Sequence, residues 1–198
     1  MIKLTLQAIR QTIVWTIIAG MIYPLVFTVF AQLVFPKQAN GSLVMRDGKL
    51  VGSEWMAQQF QGTKYFWPRP SAATYGTGAT GLNAGSGSNL GPTNAQLQTN
   101  VRTNAKALRD AHKLAADAPV PADLVYASAS GVDPHISPEA AEFQVARVAA
   151  ARGMPADQVR SLVEQQVEQP QLGFLGQARV NVLLLNLALD AADTKKSG

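Results

Sequence analysis

The chain has 198 residues, enough for one ordinary domain and an accessory segment. Its 17 Lys and Arg against 13 Asp and Glu give a formal charge of +4, of which Lys3 and Arg10 carry two; no basic cluster is interleaved with aromatics, which excludes nucleic acid as a partner class. There is no cysteine, and the two histidines, His112 and His135, form no pair at a metal-ligand spacing, which excludes a disulfide scaffold and a structural metal.

No charged residue falls between Arg10 and Lys37, and "QTIVWTIIAGMIYPLVFTVFAQLVFP" is dominated by aliphatic and aromatic groups. A bilayer takes roughly 20 apolar residues to cross, whereas the apolar part of a cleaved leader is roughly 7 to 15 residues long. The stretch therefore reads as an uncleaved anchor, residues 1–38, carrying an outer domain, residues 39–198. Pro24, mid-span, removes one backbone hydrogen bond and bends the helix. It is either a tolerated membrane proline or a shape that fits a partner. Lys3 and Arg10 ahead of one long span favour a cytoplasmic N-terminus and a periplasmic domain.

In "SLVMRDGKLVGS" the pair Asp47-Gly48 separates two short apolar runs, as a tight hairpin requires. Glu54 to Phe60 follows as a short helical or irregular connector. Tyr65, Phe66 and Trp67, then Arg69 framed by prolines, either form a partner-binding patch or cap the domain's own core. A glycine-rich loop at about 70–92 comes next, with no charge between Arg69 and Arg102. Its end, "GSGSNLGPTN", suggests a phosphate cradle but lacks the lysine that such a loop needs, and Pro92 stands where an amide donor is wanted. The loop reads instead as a turn-rich wall packed against a partner, with Ser88 and Asn89 as candidate contacts.

Thr93 or Asn94 caps a helix that buries Leu97, Val101, Ala105 and Leu108 and leaves Arg102, Lys106, Arg109 and Lys113 solvated. "DLVYASASG" alternates as a short strand ending at Gly131. Ser137-Pro138-Glu139 starts a helix whose inner face holds Val145 and Val148 and which stops at Gly153. Another helix runs from about 155 to 167. "GFLGQARVNVLLLNLALD" gives a glycine-flanked aromatic turn, then either a helix capped by Asn181 or a strand through Val180, Val182 and Leu184. The fold class expected is α+β: one N-terminal transmembrane helix, then a compact mixed α/β extracytoplasmic domain.

Ser128, Ser130, Asp133 and His135 in "ASASGVDPHIS" carry the residue types of a nucleophile and its base, and so suggest a membrane-anchored hydrolase using Ser130 and His135. Triad members normally come from separate segments, whereas Asp133-Pro134 reads as a turn and Ser137 as a cap. No catalytic residue is assigned.

The motifs "YPL", "QANGSLV", "RDGKLVGS", "YFWPRPSA", "GSNLGPTN", "VPADLVYASASGVDPHISPEAA", "QVARVAAARG" and "RVNVLLLNLALD" run nearly end to end, and through them the chain resembles the C subunit of the bacterial Kdp potassium-transporting ATPase. It departs at "AGSGSNLGPTNAQL", where that family usually has Ser-Gly-Gly-Ser-Asn and a proline after Thr-Asn. The resemblance implies an inner-membrane complex for high-affinity potassium uptake. In it a pore subunit conducts K⁺ and a P-type subunit hydrolyses ATP, so both ligands are handled by partners and the chain has no cofactor of its own. It also implies a catalytic chaperone that raises the ATP affinity of the ATPase subunit, with Gln144 in "FQVARV" as the nucleotide-related position. An external glutamine cannot touch cytoplasmic nucleotide, so the effect would be indirect; a module binding nucleotide directly through residues 85–94 and Gln144 is the alternative.

Overall fold

The computed structural model describes residues 1–72 and 85–194, so the middle of the glycine-rich stretch lies outside the described residues. The chain is mixed α/β and divides into two compact units, Met1–Ser53 and Glu54–Gly198.

In the first unit α1 (Ile2–Ile17) passes through a π-helical turn, Ile18–Ile22, into α2 (Tyr23–Val34), and none of these residues is buried. Ile2–Val34 is long and apolar enough to cross a membrane, with a mean hydropathy of 2.1 in its most apolar stretch. The π turn sits immediately before Tyr23-Pro24, where the missing proline amide breaks the regular ladder. Thr28 Oγ1 donates to the Pro24 carbonyl at 2.7 Å. After the one-turn α3 (Pro36–Ala39), β1 (Leu43–Arg46) and β2 (Lys49–Ser53) pair as an antiparallel hairpin. Its turn residues Asp47 and Gly48 have φ of 50° and 74°, the left-handed pair that the strand twist favours.

The second unit packs α4 (Ala95–His112), α5 (Pro138–Arg152), α6 (Ala156–Gln165) and α7 (Val182–Thr194) around a small antiparallel sheet. Its strand order is β3 (His135–Ile136), β5 (Arg179–Asn181), β4 (Val167–Glu168). The core joins Phe66, Leu108, Ile136, Val148, Val159, Val180, Leu185 and Leu189. Side chains cap the helices as the sequence suggests: Asn94 accepts from Gln96 N at 2.8 Å, Ser137 Oγ from Ala140 N at 3.0 Å, and Asn181 Oδ1 from Leu184 N at 3.2 Å. The segment "RVNVLLLNLALD" uses both of its readings, a short strand through Asn181 and then a helix.

The strand expected in "DLVYASASG" does not form. A 3-10 turn covers Ala122–Leu124, the chain is irregular to Gly131, and the short strand lies further on, at His135–Ile136. The segment's polar backbone is satisfied piecemeal: Ser128 N donates to Pro70 O at 3.0 Å, and Asn104 Nδ2 to Val125 O at 2.9 Å. With its groups taken in this way, the alternating pattern finds no neighbouring strand.

The described end of the glycine-rich loop lies on this same segment. A Cβ built on Gly85 would stand 3.0 Å from the Ser130 carbonyl oxygen, and one on Gly87 only 2.5 Å from that of Ala129. These glycines allow backbone to approach backbone within the chain itself. Gly87→Ala is expected to destabilise the fold by about 1–3 kcal/mol, the cost of overpacking. Denaturant midpoints of the full chain in detergent check this; an unchanged midpoint would mean that the contact yields freely.

Candidate functional site

The segment from Gly62 to Pro70, a turn over Gly62–Tyr65 and then irregular chain, belongs to no sheet, so most of its amides and carbonyls need other partners. Two buried amide side chains supply them. Asn186 on α7 accepts from Phe66 N at 2.8 Å and donates to Phe66 O at 3.0 Å. Gln144 on α5 does the same for the next residue, accepting from Trp67 N at 2.8 Å and donating to Trp67 O at 3.2 Å. Each amide thus mimics a strand neighbour.

Arg147, one turn along α5, completes the clasp. Its Nη1 donates to Thr63 O at 2.5 Å, its Nη2 to Tyr65 O at 3.1 Å and to Gln144 Oε1 at 2.7 Å, and its Nε to His112 Nε2 at 3.1 Å. The guanidinium also lies 4.2 Å from the Trp67 ring centroid. Among the described residues no carboxylate pairs with it. Carbonyls and π faces hold this cation at 8% exposure, and burial lowers its pKa to about 10, which still leaves it charged at neutral pH. At the same end of the segment Arg152 donates to Lys64 O at 2.7 Å, bonds Asp190 at 2.8 Å and also Asp193, and lies over the Tyr65 ring.

His112 is held neutral by this arrangement, as the Nε2 acceptor of the Arg147 bond, with its ring 4.4 Å from that of Phe143. Burial, and then the charge of Arg147, lower its pKa from 6.5 to about 4. The unfolded chain therefore binds a proton here more readily than the folded one, so stability is full above about pH 6.5 and falls as the pH drops toward 4. The whole shift would correspond to about 3 kcal/mol; for a half-buried ring, solvent screening leaves about 1–2 kcal/mol. The denaturant midpoint is expected to fall between pH 7 and pH 5, and His112→Gln is expected to flatten that slope. An unaltered slope in the variant would contradict this.

The candidate patch residues divide. Phe66 is fully buried in the core, because Asn186 satisfies its backbone and so lets the ring turn inward. Tyr65, Trp67 and Arg69 stay partly exposed, Ser88 is half-buried, and Asn89, with φ of 51°, is exposed. Pro24 is exposed on the apolar helix. Gln144 is 0% exposed, and its oxygen carries two hydrogen bonds while its nitrogen donates to Trp67 O and, at 3.3 Å, to Ala140 O. An amide offers four such positions, and all four are engaged.

Among the hydrolase candidates Asp133 and His135 come together, with Oδ1 3.6 Å from Nδ1, but among the described residues no hydrogen bond joins Ser130 to His135. Ser130 Oγ accepts from Val132 N at 3.2 Å, as a turn hydroxyl does. Asp133 pairs with Arg69 at 3.0 Å and accepts from His135 N. Burial works to raise the Asp133 pKa, but the bonds from His135 and Arg69 outweigh it and hold the carboxyl below its ordinary range. Among the described residues no group of His, Cys, Asp and Glu could hold a metal ion.

The clasp residues Asn186, Arg147 and Arg152 escape a sequence reading, because isolated polar groups on helices read as solvent-facing. The available signal is their setting: Gln144 and Arg147 stand among Ala and Val on a helix buried around much of its circumference.

Comparison with known proteins matches residues 5–191 to the family described as KdpC: K+-transporting ATPase, c chain. Proteins named potassium-transporting ATPase KdpC subunit are similar over most of both chains. That of Methylococcus capsulatus is 52% identical over 186 residues, covering 93% of this chain and 95% of its own. Those of Polaromonas naphthalenivorans, 56% identical with 90% and 89% covered, and Geobacter sulfurreducens, 55% identical with 92% and 95% covered, are similar as well.

Proposed function

Because the chain belongs to the KdpC family, the c chains of K+-transporting ATPases, we propose that it acts as the accessory subunit of such a complex and influences ATP use only through its partners. Residues 2–34 anchor it in the membrane with the N-terminus in the cytoplasm and the Glu54–Gly198 unit outside. It assembles with a potassium-pore subunit and an ATP-hydrolysing P-type subunit, which handle K⁺ and ATP. It contributes no catalytic residue of its own, and it raises the ATP affinity of the P-type subunit as a chaperone of the catalytic cycle.

One observation supports the indirect route above others: the Gln144 amide is buried and saturated. A nucleotide could engage it only by breaking one of the bonds it makes with Trp67, Arg147 and Ala140. Gln144 therefore acts by fixing the segment from Thr63 to Arg69, whose partly exposed Tyr65, Trp67 and Arg69 face a partner, while Pro24, Ser88 and Asn89 are further contact points. Differential contact with two partner states couples to ATP affinity by about 1–3 kcal/mol, roughly 5- to 150-fold.

Titrating ATP into the full chain in detergent by calorimetry is expected to give no binding at millimolar concentrations. The complex lacking this chain is expected to show an apparent KM for ATP raised at least about fivefold, the low end of that coupling. Saturable heat from the chain alone would overturn the indirect reading.

A further inference from the structure

Between β4 and β5 the chain turns through "PQLGFLG", and here three large apolar side chains stand in water: Leu172 is 82% exposed, Phe174 73% and Leu175 50%. Single exposed apolar groups are ordinary, whereas three at one loop tip are not. The tip is also built. Gln171 and Leu175 exchange hydrogen bonds at 3.0 and 2.9 Å, Gly173 N donates to Pro170 O at 3.0 Å, and Phe174 N to Gln171 O at 3.3 Å. Gly173 and Gly176 take φ of 82° and 89°, which suits glycine, but Leu172 is at 55°, where a branched side chain is strained. At the base, Glu168 and Arg179 face each other across the strands and pair at 2.8 Å. No residue between Glu168 and Arg179 is charged.

We propose that this loop is a preformed apolar anchor that seats Leu172 and Phe174 in an uncharged cleft on a membrane-embedded protein subunit of the same transport complex. The inference rests on the proposed assembly with such partners. Charge selects a protein over an anionic lipid surface: Arg179, at the loop's base, is already paired with Glu168, and lipid headgroups attract loops flanked by free Lys and Arg. Strain points the same way. A fluid bilayer accepts an apolar tip in any conformation, whereas a cleft rewards a tip whose left-handed Leu172 is set before binding. An aromatic anchor in a dry pocket is also the usual centre of a protein interface.

The test uses the full complex, with Phe174 replaced by the photoreactive p-benzoylphenylalanine and, separately, with Leu172→Ser and Phe174→Ser combined. Light is expected to join position 174 to a partner subunit. The double variant is expected to leave the complex about tenfold faster than the wild type, with its far-UV spectrum and melting temperature unchanged, since neither side chain is in the core. Leu172→Gly adds a signature that a merely structural role would not give: relief of strain raises the melting temperature while retention in the complex falls. Adducts with lipid alone or with a second copy of the chain, or normal retention of the double variant, would overturn the anchor while leaving the assembly reading intact. Wild-type chain that fails to co-purify with partner subunits would remove the assembly reading, and the anchor with it.

Discussion

Arg147→Ala is expected to destabilise the Glu54–Gly198 unit by about 3–5 kcal/mol, because several buried neutral acceptors lose their donor at once. The truncation leaves the carbonyls of Thr63 and Tyr65, one lone pair of Gln144 Oε1 and the His112 Nε2 without their donor, and it uncovers the Trp67 face. Each orphaned acceptor costs about 1–3 kcal/mol when water cannot reach it. Partial relaxation keeps the total below the simple sum. Arg147→Lys should recover little, because an ammonium cannot reproduce the planar fork that serves acceptors on four residues and covers the Trp67 ring. Guanidinium chloride unfolding of the full chain in detergent reads the effect as a lowered midpoint at constant slope. A loss below about 1 kcal/mol, the net worth of one ordinary hydrogen bond, would show that the clasp does not hold the segment.

Deleting residues 2–34 should have the largest effect on function and almost none on the fold of the Glu54–Gly198 unit. No residue of α1, the π turn or α2 is buried, so the helix donates nothing to a core, and its apolar surface has meaning only against lipid or another membrane helix. The truncated chain is expected to be recovered in the soluble fraction with an unchanged melting temperature. The partner subunits expressed with it are expected to lose K⁺-stimulated ATP hydrolysis to background. Assembly and activity that survive the deletion would show that the outer unit is sufficient, and the anchoring role would fall.

Local chemistry made part of this structure readable in advance. The charge-free run of residues 11–36, Asp47-Gly48 in the hairpin, the caps Asn94, Ser137 and Asn181, and Gly153 with φ of 61° each act through neighbours within a few residues. The motifs from "YPL" to "RVNVLLLNLALD" pointed to the family that the comparisons show. What escaped depends on distant partners. Residues 123–131 have a strand's alternation, but Pro70, Asn104 and the close approach of Gly85 and Gly87 satisfy or crowd their backbone. Phe66 looks like its neighbours Tyr65 and Trp67, and only Asn186, from the other end of the chain, turns it inward. The polar clasp was hidden for the same reason: nothing near Arg147 in sequence announces that carbonyls from the Thr63–Tyr65 stretch will solvate it.

The side of the membrane on which the Glu54–Gly198 unit resides decides between direct and indirect action on ATP. The most direct measurement fuses a reporter active only outside the cytoplasm, and in parallel one active only inside it, to Gly198 of the full chain expressed with its partner subunits. Activity of the external reporter alone is the result expected of an outer unit that reaches the nucleotide only through its partners. Activity of the internal reporter alone would place the unit beside ATP and contradict the account.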